Sequence, residues 1–138
     1  MKKVVALLPM KGISERVPGK NLKLFDGKPL YHRVLNSLLE SDKISDVYIN
    51  TDCPKISFDT KANFKNRVHI IKRPEKLKGN YVSMNKIIEH DTSKFKNTHF
   101  LQTHSTNPFL SKKTIEGAIE MYFRNLEDDS ADLSLIHI

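Results

Sequence analysis

Three cations, Lys11, Arg16 and Lys20, are strung through a short segment that also holds Gly12, Ser14 and Gly19. Glycine and serine let a backbone turn and aim its N–H groups inward, and lysine and arginine supply fixed positive charge. Together they suit an anionic ligand of the phosphate kind. Two common phosphate loops do not fit. A P-loop sets its Gly-Lys-Ser/Thr closer to the first glycine than Gly19 stands to Gly12, and Asn21 takes the place of its magnesium-binding hydroxyl. The dinucleotide fingerprint G-x-G-x-x-G is absent. What remains is a Gly/Ser loop whose Lys11, Arg16 and Lys20 reach back over the end of the preceding strand and surround a triphosphate.

Such a loop works only if rigid elements hold its ends. Val4 to Leu8 is aliphatic without alternation, which predicts a strand buried on both faces, as in a parallel sheet. Leu30, Val34, Leu35, Leu38 and Leu39 then recur at helical spacing behind Pro29. "DVYINTD" predicts a second strand, with Asp52 as cap of the helix that Pro54 opens. "RVHIIK" predicts a third strand and "THFLQTH" a fourth. Ser83 is placed to cap a helix carrying Met84, Ile87 and Ile88, and Ser111 one carrying Ile115, Ala118, Ile119, Tyr122, Phe123 and Leu126. "ADLSLIHI" begins a fifth strand. Strand alternates with helix throughout, so the fold class is α/β, a mainly parallel, Rossmann-like sheet covered by helices. In such sheets the loops after the strands build the ligand site. The segments Met10–Asn21, Arg73–Val82 and "HSTNP" are therefore expected at one crevice.

The bulk numbers narrow the class. The 138 residues suffice for one domain with a core, and 38% hydrophobic with 28% charged residues fits a globular chain. No apolar run approaches the roughly 20 residues of a spanning helix, so no membrane partner is expected. The single Cys53 excludes an internal disulfide and suits the cytoplasm. The net charge of +7 points to a polyanionic partner. A nucleic-acid-binding module would interleave aromatics with its basic residues. Here Lys and Arg are dispersed outside the first loop, so nucleic acid is not the expected partner. The histidines at 32, 69, 90, 99 and 137 share no metal-ligand spacing and read as structural or exposed.

The segment "LLPMKGISERVPGKNLKLFDGKPL" resembles the N-terminal signature of the CMP-sugar synthetases, the acylneuraminate cytidylyltransferase family. "NTDCPKI", "KRPEKL", "YVSMNKII" and "THSTNPFLSKKTIEGAIEMY" are similar to later segments of that family. The resemblance thus covers nearly the whole chain. It implies a three-layer α/β/α sandwich of the nucleotide-diphospho-sugar transferase type, with residues 1–138 as a single domain, truncated at its C-terminus. It implies transfer of CMP from CTP to a nonulosonic or ulosonic, sialic-acid-like sugar acid, with pyrophosphate released and Mg2+ assisting. The magnesium ligands and the contacts of a homodimer are implied beyond Ile138, which puts activity of residues 1–138 alone in doubt. The other readings are a non-catalytic nucleotide-binding fragment of the same fold and, behind it, the basic nucleic-acid-binding module.

Residue by residue, the resemblance implies Met10, Lys11, Gly12, Ser14, Arg16, Lys20 and Asn21 as nucleotide-binding, with Lys11 and Lys20 catalytic through the phosphates. Lys11 stands where the family has Arg, so the charge is kept and the bidentate fork lost. Arg73 matches an arginine that lines the cytosine pocket, and Ser83 a residue near the nucleotide. For Ser14 a plain turn, for Arg16 a surface charge and for Ser83 a plain cap compete with these roles. His104 stands where the family often has a substrate-binding glutamine, and a gapped alignment gives that role to Gln102. Thr106 and Asn107 complete the implied substrate side.

Overall fold

The structure, a computed structural model, describes residues 4–10, 23–78, 82–95, 99–105, 107, 109–129 and 135–137. In chain order these form β1 (Val4–Met10), a small hairpin of β2 (Leu24–Phe25) and β3 (Lys28–Pro29), α1 (Leu30–Glu40) and β4 (Ile44–Thr51). Then follow α2 (Pro54–Phe64), β5 (Val68–Lys72), α3 (Met84–Thr92), β6 (His99–Gln102), α4 (Lys112–Asp129) and β7 (Leu135–His137). Five strands make one sheet in the order β5-β4-β1-β6-β7. Every neighbouring pair in it is parallel.

The strand order follows from where each strand finds apolar cover. β1 is buried along its whole length, as its unbroken aliphatic run predicts. Val4, Ala6, Leu8 and Met10 face one core, which takes Val34, Leu35 and Leu38 from α1, Ile56 and Phe64 from α2, and Ile115 and Ile119 from α4. Val5 and Leu7 face a smaller core with Phe100 of β6 and Ile88 of α3, flanked by Tyr48 and Phe95. Helices therefore cover both faces, and the expected three-layer α/β sandwich is what the chain builds. The chain first walks from β1 to β4 to β5, then returns to the other side of β1 for β6 and β7. The reversal leaves a topological switch between β1 and β6, where open α/β sheets bind ligands beyond the strand ends.

Proline in a central strand is ordinarily excluded because it has no N–H to donate. Pro9 is tolerated because β1–β6 pairing stops at Leu7↔Gln102, while pairing to β4 continues to Met10↔Thr51. The Thr103 N–H still donates to the Leu7 carbonyl at 3.0 Å, which puts odd-numbered β1 residues on the β6 side. The missing donor of Pro9 thus falls where β6 has already ended.

Some local expectations need correction. Asp52 does not cap α2; Cys53 holds that position without a side-chain hydrogen bond. Pro54 occupies the first helical position, which moves the cap to the residue directly before it. Met84 is exposed, whereas Ile87, Ile88 and Asp91 form the buried face of α3. The β2–β3 hairpin was not expected, although Asp26-Gly27 is a strong hairpin signal. Both turn residues have positive φ, 56° and 82°, as a two-residue turn with the twist of paired strands requires. Ser83 and Ser111 do cap their helices, accepting from the N–H of Lys86 at 3.4 Å and of Thr114 at 3.2 Å.

A polar knot joins α1 to α2. The Tyr31 hydroxyl donates to the Asp59 carboxylate and lies 3.2 Å from the Thr60 hydroxyl. His32 Nε2 is 2.6 Å from the same Asp59 oxygen, with its ring edge-on to Phe64. Burial first, and the bond to Asp59 second, push the Tyr31 phenol well above its ordinary pKa. The phenol stays neutral and donates. His32 is thereby structural, as are His69, stacked on Tyr48, and His99, bonded to the Tyr122 hydroxyl at 2.8 Å.

Candidate functional site

The C-terminal ends of β5, β4 and β6 carry polar residues just where the apolar runs stop, and β1 between them ends in Pro9 and Met10. Side chains alternate along each strand, so Asn50 shares a face with Tyr48, and Gln102 with Phe100. Both therefore lie on the α3 side of the sheet. Arg73, directly after β5, extends its backbone ladder, its N–H donating to the Thr51 carbonyl at 3.3 Å.

Arg73 is only 2% exposed, among the most deeply buried large side chains of the protein. Its Nε donates to Asn50 Oδ1 at 2.7 Å, and a terminal nitrogen donates to the carbonyls of Asn50 at 3.2 Å and Met10 at 3.4 Å. One guanidinium thus ties together the ends of β1, β4 and β5. Burial pulls its pKa down, while the carboxylates of Asp52 and Asp91 push it back up. An arginine starts so high that it remains charged. A positive charge therefore stands fixed beneath the exit of β1, where the Lys/Gly/Ser segment begins.

Asn50 passes the connection on. Its Nδ2 donates to Asp91 Oδ1 at 2.6 Å, and His90 Nδ1 lies 3.1 Å from that same oxygen. Asn50 and Asp91 are each 1% exposed. On the far side of the switch point, Gln102 is 4% exposed, and its Nε2 has no hydrogen-bond partner among the described residues. A buried, unmatched amide is costly to keep, on the order of 1–3 kcal/mol, unless a ligand satisfies it.

Of the residues picked from sequence, the structure brings together Met10 and Arg73, the former through its backbone carbonyl. Gln102 pairs in register with Leu7 of β1. His104 is half-buried in the loop after β6, its carbonyl accepting from the N–H of the exposed Asn107 at 3.5 Å. Ser83 is exposed at the start of α3. Lys11, Gly12, Ser14, Arg16, Lys20, Asn21 and Thr106 lie outside the described residues. Sequence reasoning missed Asn50 and Asp91. A carboxylate on the apolar face of α3 was the available signal, since acidic residues are rarely buried without a partner.

No group of three or more His, Cys, Asp or Glu residues able to hold a metal ion occurs among the described residues. None of the described residues is therefore assigned to magnesium. No helix among the described residues is long and apolar enough to cross a membrane.

A family model described as Cytidylyltransferase matches residues 5–136. Pseudaminic acid cytidylyltransferase of Campylobacter jejuni subsp. jejuni serotype O:2 is 25% identical over 133 residues, covering 89% of this chain and 54% of that protein. CMP-N,N'-diacetyllegionaminic acid synthase of Legionella pneumophila is 33% identical over 55 residues, 40% of this chain and 24% of that one. Among solved structures, a CMP:2-keto-3-deoxy-manno-octonic acid synthetase complexed with CTP superposes with a TM-score of 0.72 at 22% identity, over 94% of this chain and 49% of that chain. A cytidylyltransferase of Leptospira borgpetersenii gives 0.66 at 22% identity, over 91% and 50%. At that identity the structural likeness speaks for the fold. The chain spans about half the length of the Campylobacter relative.

Proposed function

The chain belongs to the cytidylyltransferase family, and from that premise we propose that it serves the transfer of CMP from CTP to a nonulosonic or ulosonic sugar acid of the sialic-acid type, with release of pyrophosphate. The observation that carries the reading is Arg73, a buried cation pinned to the end of β1 beside the switch point. Cytosine is assigned to the Arg73 side of the crevice, near Ser83, and the triphosphate to Lys11, Gly12, Ser14, Arg16, Lys20 and Asn21. The sugar acid is assigned to the β6 side, with Gln102, His104, Thr106 and Asn107. The unmatched Gln102 amide favours Gln102 over His104 as the principal donor to that acid.

The chemistry asks for this arrangement. Attack by the sugar hydroxyl at the α-phosphate puts negative charge on the departing pyrophosphate. Cations held in place before the reaction stabilise that charge without reorganising. Lys11 and Lys20 take this task. Magnesium, when bound, adds charge neutralisation and alignment of the phosphates. We place the reaction in the cytoplasm and in a homodimer, in line with the resemblance.

The test is transfer by the protein as its gene encodes it, with CTP labelled at the α-phosphate, magnesium and a panel of nonulosonic and ulosonic acids. Label should move to at least one acid, with pyrophosphate released, and UTP should not replace CTP. CTP binding with no transfer to any acid would reduce the assignment to nucleotide binding.

A further inference from the structure

We propose that Asp91, acting through Asn50, is a positioning residue for Arg73 and hence for the nucleotide side of the crevice; the second half of this inference rests on the function proposed above. The three residues come from α3, β4 and the end of β5, and all three are buried. Asn50 links the two charges. Its oxygen accepts from Arg73 Nε at 2.7 Å, and its nitrogen donates to Asp91 Oδ1 at 2.6 Å. The amide orientation is therefore set at both ends. An ionised carboxylate beyond its nitrogen can only accept, so it favours the orientation in which the Asn50 oxygen faces the guanidinium. With Nε fixed in this way, the terminal nitrogen is aimed at the carbonyls of Met10 and Asn50.

The electrostatics agree with the geometry. Removing a guanidinium from water is costly, and the cost is met by hydrogen bonds together with nearby opposite charge. Asp91 and Asp52 supply that charge. Asp91 is joined to Arg73 by a continuous path of side-chain bonds through Asn50. The same Asp91 oxygen also meets His90 Nδ1 at 3.1 Å, which anchors the carboxylate from its own helix. Taking the charge from Asp91 leaves Asn50 free to turn over, and Arg73 loses the bond that sets its angle.

The experiment compares the full chain with Asp91→Asn and with the exchange Asn50→Asp/Asp91→Asn, which restores one carboxylate to the path directly against Arg73. Two quantities are read: solvent exchange of the Arg73 Nε–H NMR signal, without nucleotide, and CTP affinity. Asp91→Asn should speed the exchange and weaken CTP about tenfold or more, the scale of one charge-assisted hydrogen bond. The exchange variant should recover both. An unchanged Arg73 signal in Asp91→Asn would overturn the inference whatever the affinities. A signal that moves and recovers while CTP affinity stays constant would overturn its link to the nucleotide. A signal that moves and recovers in a protein that shows no preference for CTP supports the positioning of Arg73 and tells against the proposed function.

Discussion

Replacing Lys20 with alanine is expected to weaken CTP binding roughly tenfold to a hundredfold and to leave cytidine binding nearly unchanged. Lys20 stands in the Lys/Gly/Ser segment that follows β1, and the end of β1 is tied to Arg73. An ammonium that contacts phosphate is worth roughly 1.5–3 kcal/mol, the range for hydrogen bonds to charged groups. Cytidine has no phosphate and should not feel the change. Binding of both ligands measured calorimetrically, with the thermal midpoint of the variant as a folding control, decides the matter. Equal losses for CTP and cytidine would make Lys20 a structural residue and remove the phosphate loop from the account.

Gln102→Leu should give a protein that is more stable and yet does not hold the sugar acid. The leucine removes the buried Nε2 that has no partner among the described residues. Its apolar neighbours on that face, Leu7 across the strand pair and Phe100 two residues earlier on β6, suit a side chain of similar size. Losing a buried, unmatched amide nitrogen should raise stability by about 1–3 kcal/mol. The same change deletes the donor assigned to the acid. A thermal shift caused by the acid in the presence of CTP should therefore vanish, while the shift caused by CTP alone persists. A variant that is destabilised and still responds to the acid would show that Gln102 is satisfied within the protein and that His104 or Asn107 carries the contact.

Much of this fold is written in local pattern. The unbroken aliphatic run of β1, the helical spacing behind Pro29 and the serines before α3 and α4 each specify an element from residues close in sequence. The Asp26-Gly27 turn was equally available there and was overlooked. The Asp52 cap was misread because Pro54 settles the register of the helix start more firmly than a carboxylate two residues earlier. The site was legible in part. Arg73 and Gln102 were marked by the resemblance of their segments to a known family rather than by local pattern. Of the partners of Arg73, Asn50 left no such trace, and Asp91 showed only as a carboxylate on the apolar face of α3. Asn50 and Asp91 are 41 positions apart, and Arg73 reaches across 63 to Met10. Such pairings are set by strand order, and strand order is fixed by which faces find cover. Local periodicity does not record it.

The central claim is that the crevice at the β1–β6 switch holds CTP by its triphosphate and its base together. Calorimetric titration of the protein, in magnesium, with CTP, UTP, ATP and GTP under the same conditions tests both parts at once. Phosphate contacts are common to all four nucleotides, so any preference reports the base. The account predicts that CTP binds tightest, and that raising the salt concentration weakens all four while the order stays the same. Equal affinities for the four nucleotides would reveal a generic polyanion site and contradict the claim.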